Sequence, residues 1–178
     1  PDGLRGGYAC AKAMGEWLAL GYAQKQGLPV VVVRLFNVVG ARQSGAYGMV
    51  LPRFLEQARS GQPITVFGDG TQSRCFAAAT EVAEALVALL ATPAAHGRIV
   101  NVGSDREITM QALAELVQRL AASSSAIVHV PLAEVFPQGF VDPMRRVPSL
   151  DRLRAAIGWA PERPIEAIVN DQIGRAHV

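Results

Sequence analysis

The sequence predicts an α/β protein built on a parallel sheet. Two observations carry that expectation. Short apolar runs without polar alternation, at 30–33 and 99–102, suit strands covered on both faces. Between and after them lie longer segments with helical spacing and recognisable start and stop residues, so strands and helices alternate along the chain.

Each element has a local reason. The segment 14–26 continues a helix begun within the first residues, with Trp17, Leu18 and Tyr22 at helical spacing, and Gly27-Leu28-Pro29 ends it. The β-branched run 30–33 follows as a buried strand, then a Gly-rich loop from Asn37 to Gly48. Residues 50–60 read as a helix whose first turn holds Pro52. Residues 64–67 form a short strand closed by the turn Gly68-Asp69-Gly70. Thr80 is placed to cap a helix over 81–90. Thr109 caps another, with Leu113, Leu116, Val117 and Leu120 on its core face. Ser123-Ser124-Ser125 is a short linker, 127–130 a strand, and 150–157 a helix ending before Gly158-Trp159. No internal repeat is visible.

Composition narrows the function classes. With 178 residues, half of them hydrophobic, the chain can bury a sizeable core in one or two small domains. A net charge of +2, with basic residues scattered apart from Arg145-Arg146, argues against nucleic acid or an anionic membrane as partner. No run reaches membrane-spanning length and none resembles a signal peptide. Cys10 and Cys75 lack metal-ligand spacing and read as reduced thiols of a cytoplasmic protein, and no metal site is expected. Both ends read as cut, because helical pattern begins at once. The tail 173–178 resembles a translated sequencing adapter, which removes His177 from consideration. His96 and His129 have no partner in sequence and read as structural.

Tyr8 and Lys12 carry the first chemical signal. Four apart on a helix, their side chains share one face and can meet at one reacting centre. A free phenol titrates near 10, so a phenol acting as base near neutrality needs help, and a fixed ammonium beside it favours phenolate. Taken alone the spacing is common on ordinary helix surfaces. Further motifs change its weight: Arg34-Leu35-Phe36-Asn37, Tyr47-Gly48-Met49-Val50, Gly68-Asp69-Gly70-x-Gln72-x-Arg74 and Gly158-Trp159-x-Pro161.

In this order, the five motifs resemble the extended short-chain dehydrogenase/reductases that act on nucleotide sugars, the NAD-dependent epimerase/dehydratase family. The similarity runs from about Tyr8 to Glu166 and is greatest to UDP-glucose 4-epimerases and UDP-glucuronate decarboxylases. The resemblance implies a Rossmann domain for NAD and a smaller α/β domain for the sugar nucleotide. Residues 1–36 and 72–103 would then be a remnant of the NAD-binding domain, and 37–71 and 104–172 the nucleotide-sugar domain. The family's Gly-x-x-Gly-x-x-Gly turn, which seats the dinucleotide pyrophosphate, is absent from the sequence, as is the Ser or Thr that assists the Tyr. Both would precede Pro1, so the chain alone is expected to bind NAD poorly and not to catalyse.

Site residues follow by the same resemblance. Tyr8 would take the proton from the sugar 4-hydroxyl, and Lys12 would hold the nicotinamide ribose. Asn37 would lie near the diphosphate; its plainer reading is an Asn making a turn. Arg74 would contact the diphosphate, as would a second arginine, Arg146 or its neighbour Arg145, although Ser149 stands where the family often has Asp. Val50 and Phe67 would line the uracil site or belong to the core. The Gly68-Asp69-Gly70 turn is expected to be structural, since an Asp at its centre repels phosphate. Thr80-Glu81 replaces an acidic pair, with an expected effect on packing.

The activity implied first is UDP-glucose/UDP-galactose 4-epimerisation through a 4-keto sugar. UDP-glucuronate decarboxylation and dTDP-glucose 4,6-dehydration are alternatives. A non-catalytic nucleotide-sugar-binding or NAD-sensing relative is the reading from a different class. The family commonly dimerises through the Tyr-bearing helix, and Trp17, Leu18 and Tyr22 are compatible with a homodimer.

Overall fold

The computed structural model describes residues 4–40, 43, 49–136 and 142–174. Helix α1 (Leu4–Gln26) leads into β1 (Val31–Leu35) and the two-residue β2 (Val38–Val39). Then come α2 (Val50–Arg59), β3 (Ile64–Phe67), β4 (Ser73–Cys75), β5 (Ala77–Ala78) and α3 (Ala79–Leu90). A 3-10 turn at Pro93–Ala95 precedes β6 (Arg98–Val102), β7 (Glu107–Thr109) and α4 (Met110–Leu120). The chain continues through β8 (Ile127–Val130), α5 (Leu132–Val135), β9 (Arg145–Arg146), α6 (Asp151–Ile157) and α7 (Ile165–Gly174).

The pairing is largely parallel, as expected of alternating strands and helices. β1 runs parallel to β6, β2 to β5, β3 to β8 and β4 to β9; β7 joins β4 antiparallel. Each parallel pair needs a crossover, and helices supply it: α2 lies between β2 and β3, and α4 between β7 and β8.

Buried side chains gather into two clusters. In one, Phe54 and Leu55 of α2 meet Ile64 and Val66 of β3, Leu113 and Val117 of α4, and Val169 of α7. In the other, Val82 and Leu89 of α3 meet Val100 and Val102 of β6, with Leu150 beside α6 and Leu153 within it. The apolar stripe on α4 is thus the core face expected from its spacing, and Thr109 Oγ1 accepts from Ala112 N at 3.1 Å as its N-cap.

Three expectations change. Thr80 is not a cap: α3 starts at Ala79, the extended Ala78 is its N-cap residue, and no side chain caps it. Ala78 ends β5 directly before the helix, so the strand sets the entry and leaves no free turn for a capping hydroxyl. The strand over 30–33 is half-buried, because β6 is its sole strand neighbour among the described residues. The Gly-rich loop contains β2, while 41–42 and 44–48, including Tyr47 and Gly48, lie outside the described residues. Glu81 accepts from the backbone N–H of Glu162 at 3.0 Å and of Arg163 at 3.2 Å. Ile173 and Gly174 continue α7, and Ile173 packs on the first cluster; 175–178, with His177, lie outside the described residues.

Candidate functional site

A cleft of about 610 Å³ opens beside the C-terminal end of β1, the edge at which α/β folds gather ligands. It brings together Tyr8, Asn37, Val50, Phe67, Arg74 and Arg146, contributed by six separate stretches of chain. Lys12 is not part of its lining. Its Nζ lies 5.5 Å from the Tyr8 ring centroid, on the same face of α1, where Tyr8 is exposed.

Two parallel strands present the arginines. In the β4–β9 register Ser73 faces Arg145 and Arg74 faces Arg146, so side chains alternate between the two surfaces of the pair. Arg74 and Arg146 fall on the cleft side. Arg145 instead binds Glu107, Nη2 to Oε1 at 2.6 Å, and Ser73 Oγ donates to the same carboxylate at 2.7 Å. These two hydrogen bonds, the arginine's first, hold Glu107 below the usual carboxylate range. Pairing thus separates the two arginines that spacing left undecided: Arg146 is the one in the cleft.

Arg74 and Arg146 differ in their surroundings. Arg74 is buried and fully engaged: Nη2 meets Asp142 Oδ1 at 2.6 Å, and Nη1 donates to the carbonyls of Ser73 and Pro143 at 2.7 and 2.8 Å. Arg146 is exposed and has no ion-pair partner among the described residues. Asn37 does structural work as well, since Nδ2 donates to Cys75 O at 2.9 Å and its carbonyl accepts from Ala77 N. Burial, ahead of the nearby carboxylates, pushes the Cys75 thiol up to about 11, which makes it a poor nucleophile.

Several lining residues escaped the sequence reading. Arg53 lies with its guanidinium carbon 3.8 Å from the centroid of the Phe67 ring, and Nη2 donates to Thr65 O at 3.1 Å. Burial lowers its pKa. Phe136 meets Phe67 edge-on at 5.8 Å, and Gln72 Nε2 ties down the Phe67 carbonyl at 2.7 Å. A signal for Arg53 existed: it follows Pro52 in the first turns of α2, where the helix dipole disfavours a cation. Asp142 and Gln43 had none, because only tertiary contacts bring them to the cleft. The Gly68-Asp69-Gly70 turn is closed on itself, with Asp69 Oδ1 accepting from Thr71 N and Oγ1. His129 Nδ1 lies 3.0 Å from Gly68 O and His96 Nε2 3.1 Å from Leu90 O. No group of three or more metal-ligating side chains occurs among the described residues, and no helix there is long and apolar enough to cross a membrane.

The residues on α1 fit one end of a dinucleotide. A phenol and an ammonium on a single open helix face offer donors to a ribose; a Gly-rich pyrophosphate turn does not occur in this sequence.

The chain is similar to known proteins over nearly its whole length. The chain is 41% identical over 159 residues to a UDP-N-acetyl-alpha-D-glucosaminuronate decarboxylase of Bacillus cytotoxicus, covering 89% of this chain and 49% of that one. It is 33% identical over 173 residues to UDP-glucuronic acid decarboxylase 1 of Danio rerio, covering 97% of this chain and 40% of the relative. The chain thus spans about half the length, or less, of these curated relatives. The crystal structure of a UDP-glucose 4-epimerase from Thermotoga maritima, with UDP-glucose, shares the fold. Its TM-score is 0.85 at 24% identity, over 96% of this chain and 53% of that one. The model of the NAD-dependent epimerase/dehydratase family matches residues 1–103, and the chain belongs to that family.

Proposed function

We propose that this chain is part of an NAD-dependent decarboxylase acting on a UDP-linked uronic acid through a 4-keto sugar. What supports the chemistry is one cleft with Tyr8 at its α1 wall and three arginines, Arg53, Arg74 and Arg146, along the rest. What favours decarboxylation over the 4-epimerisation that the sequence motifs suggested first is the pair of decarboxylases at 41% and 33% identity.

Tyr8 takes the proton from the sugar 4-hydroxyl, and Lys12, on the same helix face, stabilises the phenolate that does so. NAD, when bound, would supply the hydride acceptor and donor for C4. With a ketone at C4 the C5 carboxylate is a β-keto acid: the bond from C5 to the carboxylate breaks, its electrons pass into the ketone as an enolate, carbon dioxide leaves, and C5 then takes a proton from water. Arg146, exposed and without an ion-pair partner among the described residues, meets a phosphate of the diphosphate, a task suited to a planar multi-donor cation. Arg74, its charge paired with Asp142, borders the diphosphate from beneath, Asn37 borders it as well, and Val50 and Phe67 border the base.

The segments 1–36 and 72–103 form the NAD side, and 37–71 with 104–172 the sugar-nucleotide side; α6 joins the former through β6. Trp17, Leu18 and Tyr22 make an exposed stripe on α1 that we assign to a homodimer contact. Two free cysteines suit a reducing cytoplasm.

The test is product analysis. The protein with its complete coding sequence is incubated with UDP-glucuronate, UDP-N-acetylglucosaminuronate, UDP-galactose and dTDP-glucose, and products are followed by chromatography with mass detection. Loss of carbon dioxide from a uronate is expected. An isomer of unchanged mass from UDP-galactose makes the protein an epimerase, and loss of water from dTDP-glucose a dehydratase. No turnover despite bound NAD and UDP makes it a non-catalytic relative.

A further inference from the structure

Helix α1 carries Tyr8 and Lys12, yet little holds it in place. From Gly7 to Gly15 every residue is exposed, and the helix first comes under cover at Glu16, followed by Ala19, Leu20 and Ala23. It is anchored beside β1 through its C-terminal half and projects its N-terminal half beyond that anchor. Tyr8 stands eight residues before Glu16, about 12 Å along the helix axis. A tilt of only about 5° at the anchor therefore moves Tyr8 by about 1 Å.

One contact sits at that boundary. Arg34 of β1 grips Glu16 with both arms of its fork, Nε to Oε1 and Nη2 to Oε2, each at 2.7 Å. Two parallel hydrogen bonds fix direction as well as distance. Among the described residues no other side-chain hydrogen bond or ion pair ties α1 to the rest of the chain, and Arg34 has no other side-chain partner. The grip also settles a competition. Glu16 follows Lys12 by four residues, as Lys12 follows Tyr8, so a free Glu16 carboxylate would draw on the same ammonium. The Arg34 hydrogen bonds hold Glu16 below the usual carboxylate range, so it stays charged, and both its oxygens are taken. Lys12 is left to Tyr8, with Nζ 5.5 Å from the ring centroid.

We propose that Glu16 and Arg34 are a positioning pair, which aims the Tyr8–Lys12 face at the cleft and reserves Lys12 for the phenol. This rests on the catalytic reading of Tyr8. Neither residue of the pair lines the cleft. Arg34 acts through Glu16, and Glu16 acts through the helix that bears Tyr8. The strand end of the tie is well placed: Arg34 directly precedes Leu35, which lines the cleft, so α1 is referenced to the strand that ends at the site. The pair sets which way the exposed face points, whether or not another surface covers it.

Steady-state kinetics of the complete protein test this, with the nucleotide sugar that it converts and with UDP affinity measured beside them by calorimetry. The variants are Glu16→Ala, Arg34→Ala, the two together, and Arg34→Lys. Each single alanine should lower kcat by about 10- to 100-fold, the cost of misplacing a catalytic group by about 1 Å, while UDP affinity keeps its wild-type value. The double variant should be no worse than Arg34→Ala alone, because both changes remove one contact and the freed carboxylate is gone. Arg34→Lys keeps the charge without the fork and should recover part of kcat. Wild-type kcat in both single variants overturns the proposal. So do losses that multiply in the double variant, which would give the two residues separate roles. A fall in kcat matched by an equal fall in UDP affinity overturns it as well, since that marks damage to the packed wall. A wild type that binds UDP and converts no nucleotide sugar removes the catalytic reading, and the proposal with it. A thermal melt shows whether each variant is folded, and Glu16→Ala, at a helical position that favours alanine, keeps the test open should Arg34→Ala unfold.

Discussion

The two walls of the cleft are built to opposite specifications. One, made of α2, β3, β4 and β9, is closed: Phe54 and Leu51 are buried behind it, and Arg74 is clamped by Asp142 and two carbonyls. The other, α1, is open. Tyr8 is 69% exposed and Trp17 75%, and the described side chains of α1 include none that is buried. A packed wall holds its shape without help, whereas the Tyr-bearing wall gains a fixed geometry only when something covers it. The difference teaches that, in the proposed reading, binding falls on the packed wall and chemistry on the exposed one.

The largest expected effect breaks the chemistry of the open wall. In the complete protein, Tyr8→Phe removes the phenolic oxygen and keeps the ring. Turnover should fall about 10²- to 10⁴-fold, the usual worth of a general base, while UDP affinity measured by calorimetry stays unchanged. Turnover at the wild-type rate would remove Tyr8 from the mechanism.

A second comparison concerns stability. Phe54 is fully buried in the first cluster, so Phe54→Ala should cost about 3–5 kcal/mol in urea unfolding, through lost burial and the cavity left behind. Trp17→Ala on the open wall should cost less than about 1 kcal/mol in this chain, because an exposed ring has little packing to lose. That small cost is the monomer's: a larger loss that grows with protein concentration would support the proposed homodimer, and a small loss at every concentration would remove it.

The same contrast explains what was legible in the sequence. Elements with a strong period and a proper start were readable: α4 announces itself by Thr109 and by the stripe Leu113, Leu116, Val117, and β3 and β8 by short runs rich in β-branched residues. The two- and three-residue strands β2, β4, β5, β7 and β9 were not, since each exists only through its partner and has no period of its own. Those strands shape much of the site. Arg146 could not be told from Arg145 until the β4–β9 register put them on opposite surfaces. Arg74 looked like a free ligand cation because Asp142, 68 positions away, left no local trace of its ion pair. Tyr8 and Lys12 were visible because helical spacing alone puts them together, and Thr80 misled because a capping residue type says nothing of where the preceding strand ends.

The smallest expected effect sits on the back of the closed wall, where Glu107 joins Arg145 and Ser73 across β7, β4 and β9. Because those contacts favour the carboxylate, its pKa in the fold lies below the value it takes in the unfolded chain. The stabilisation is therefore fully present above the unfolded value and is lost as pH falls through the folded one. Glu107→Gln removes that titration. At pH 7 the variant should be slightly less stable than wild type in urea unfolding, and the gap should close as pH drops toward 3. The effect stays modest, since the pair is exposed and salt screens it. A gap that is constant with pH would show that Glu107 acts through packing alone; one that widens in acid would reverse the sign argued here and put the favoured proton on the folded state.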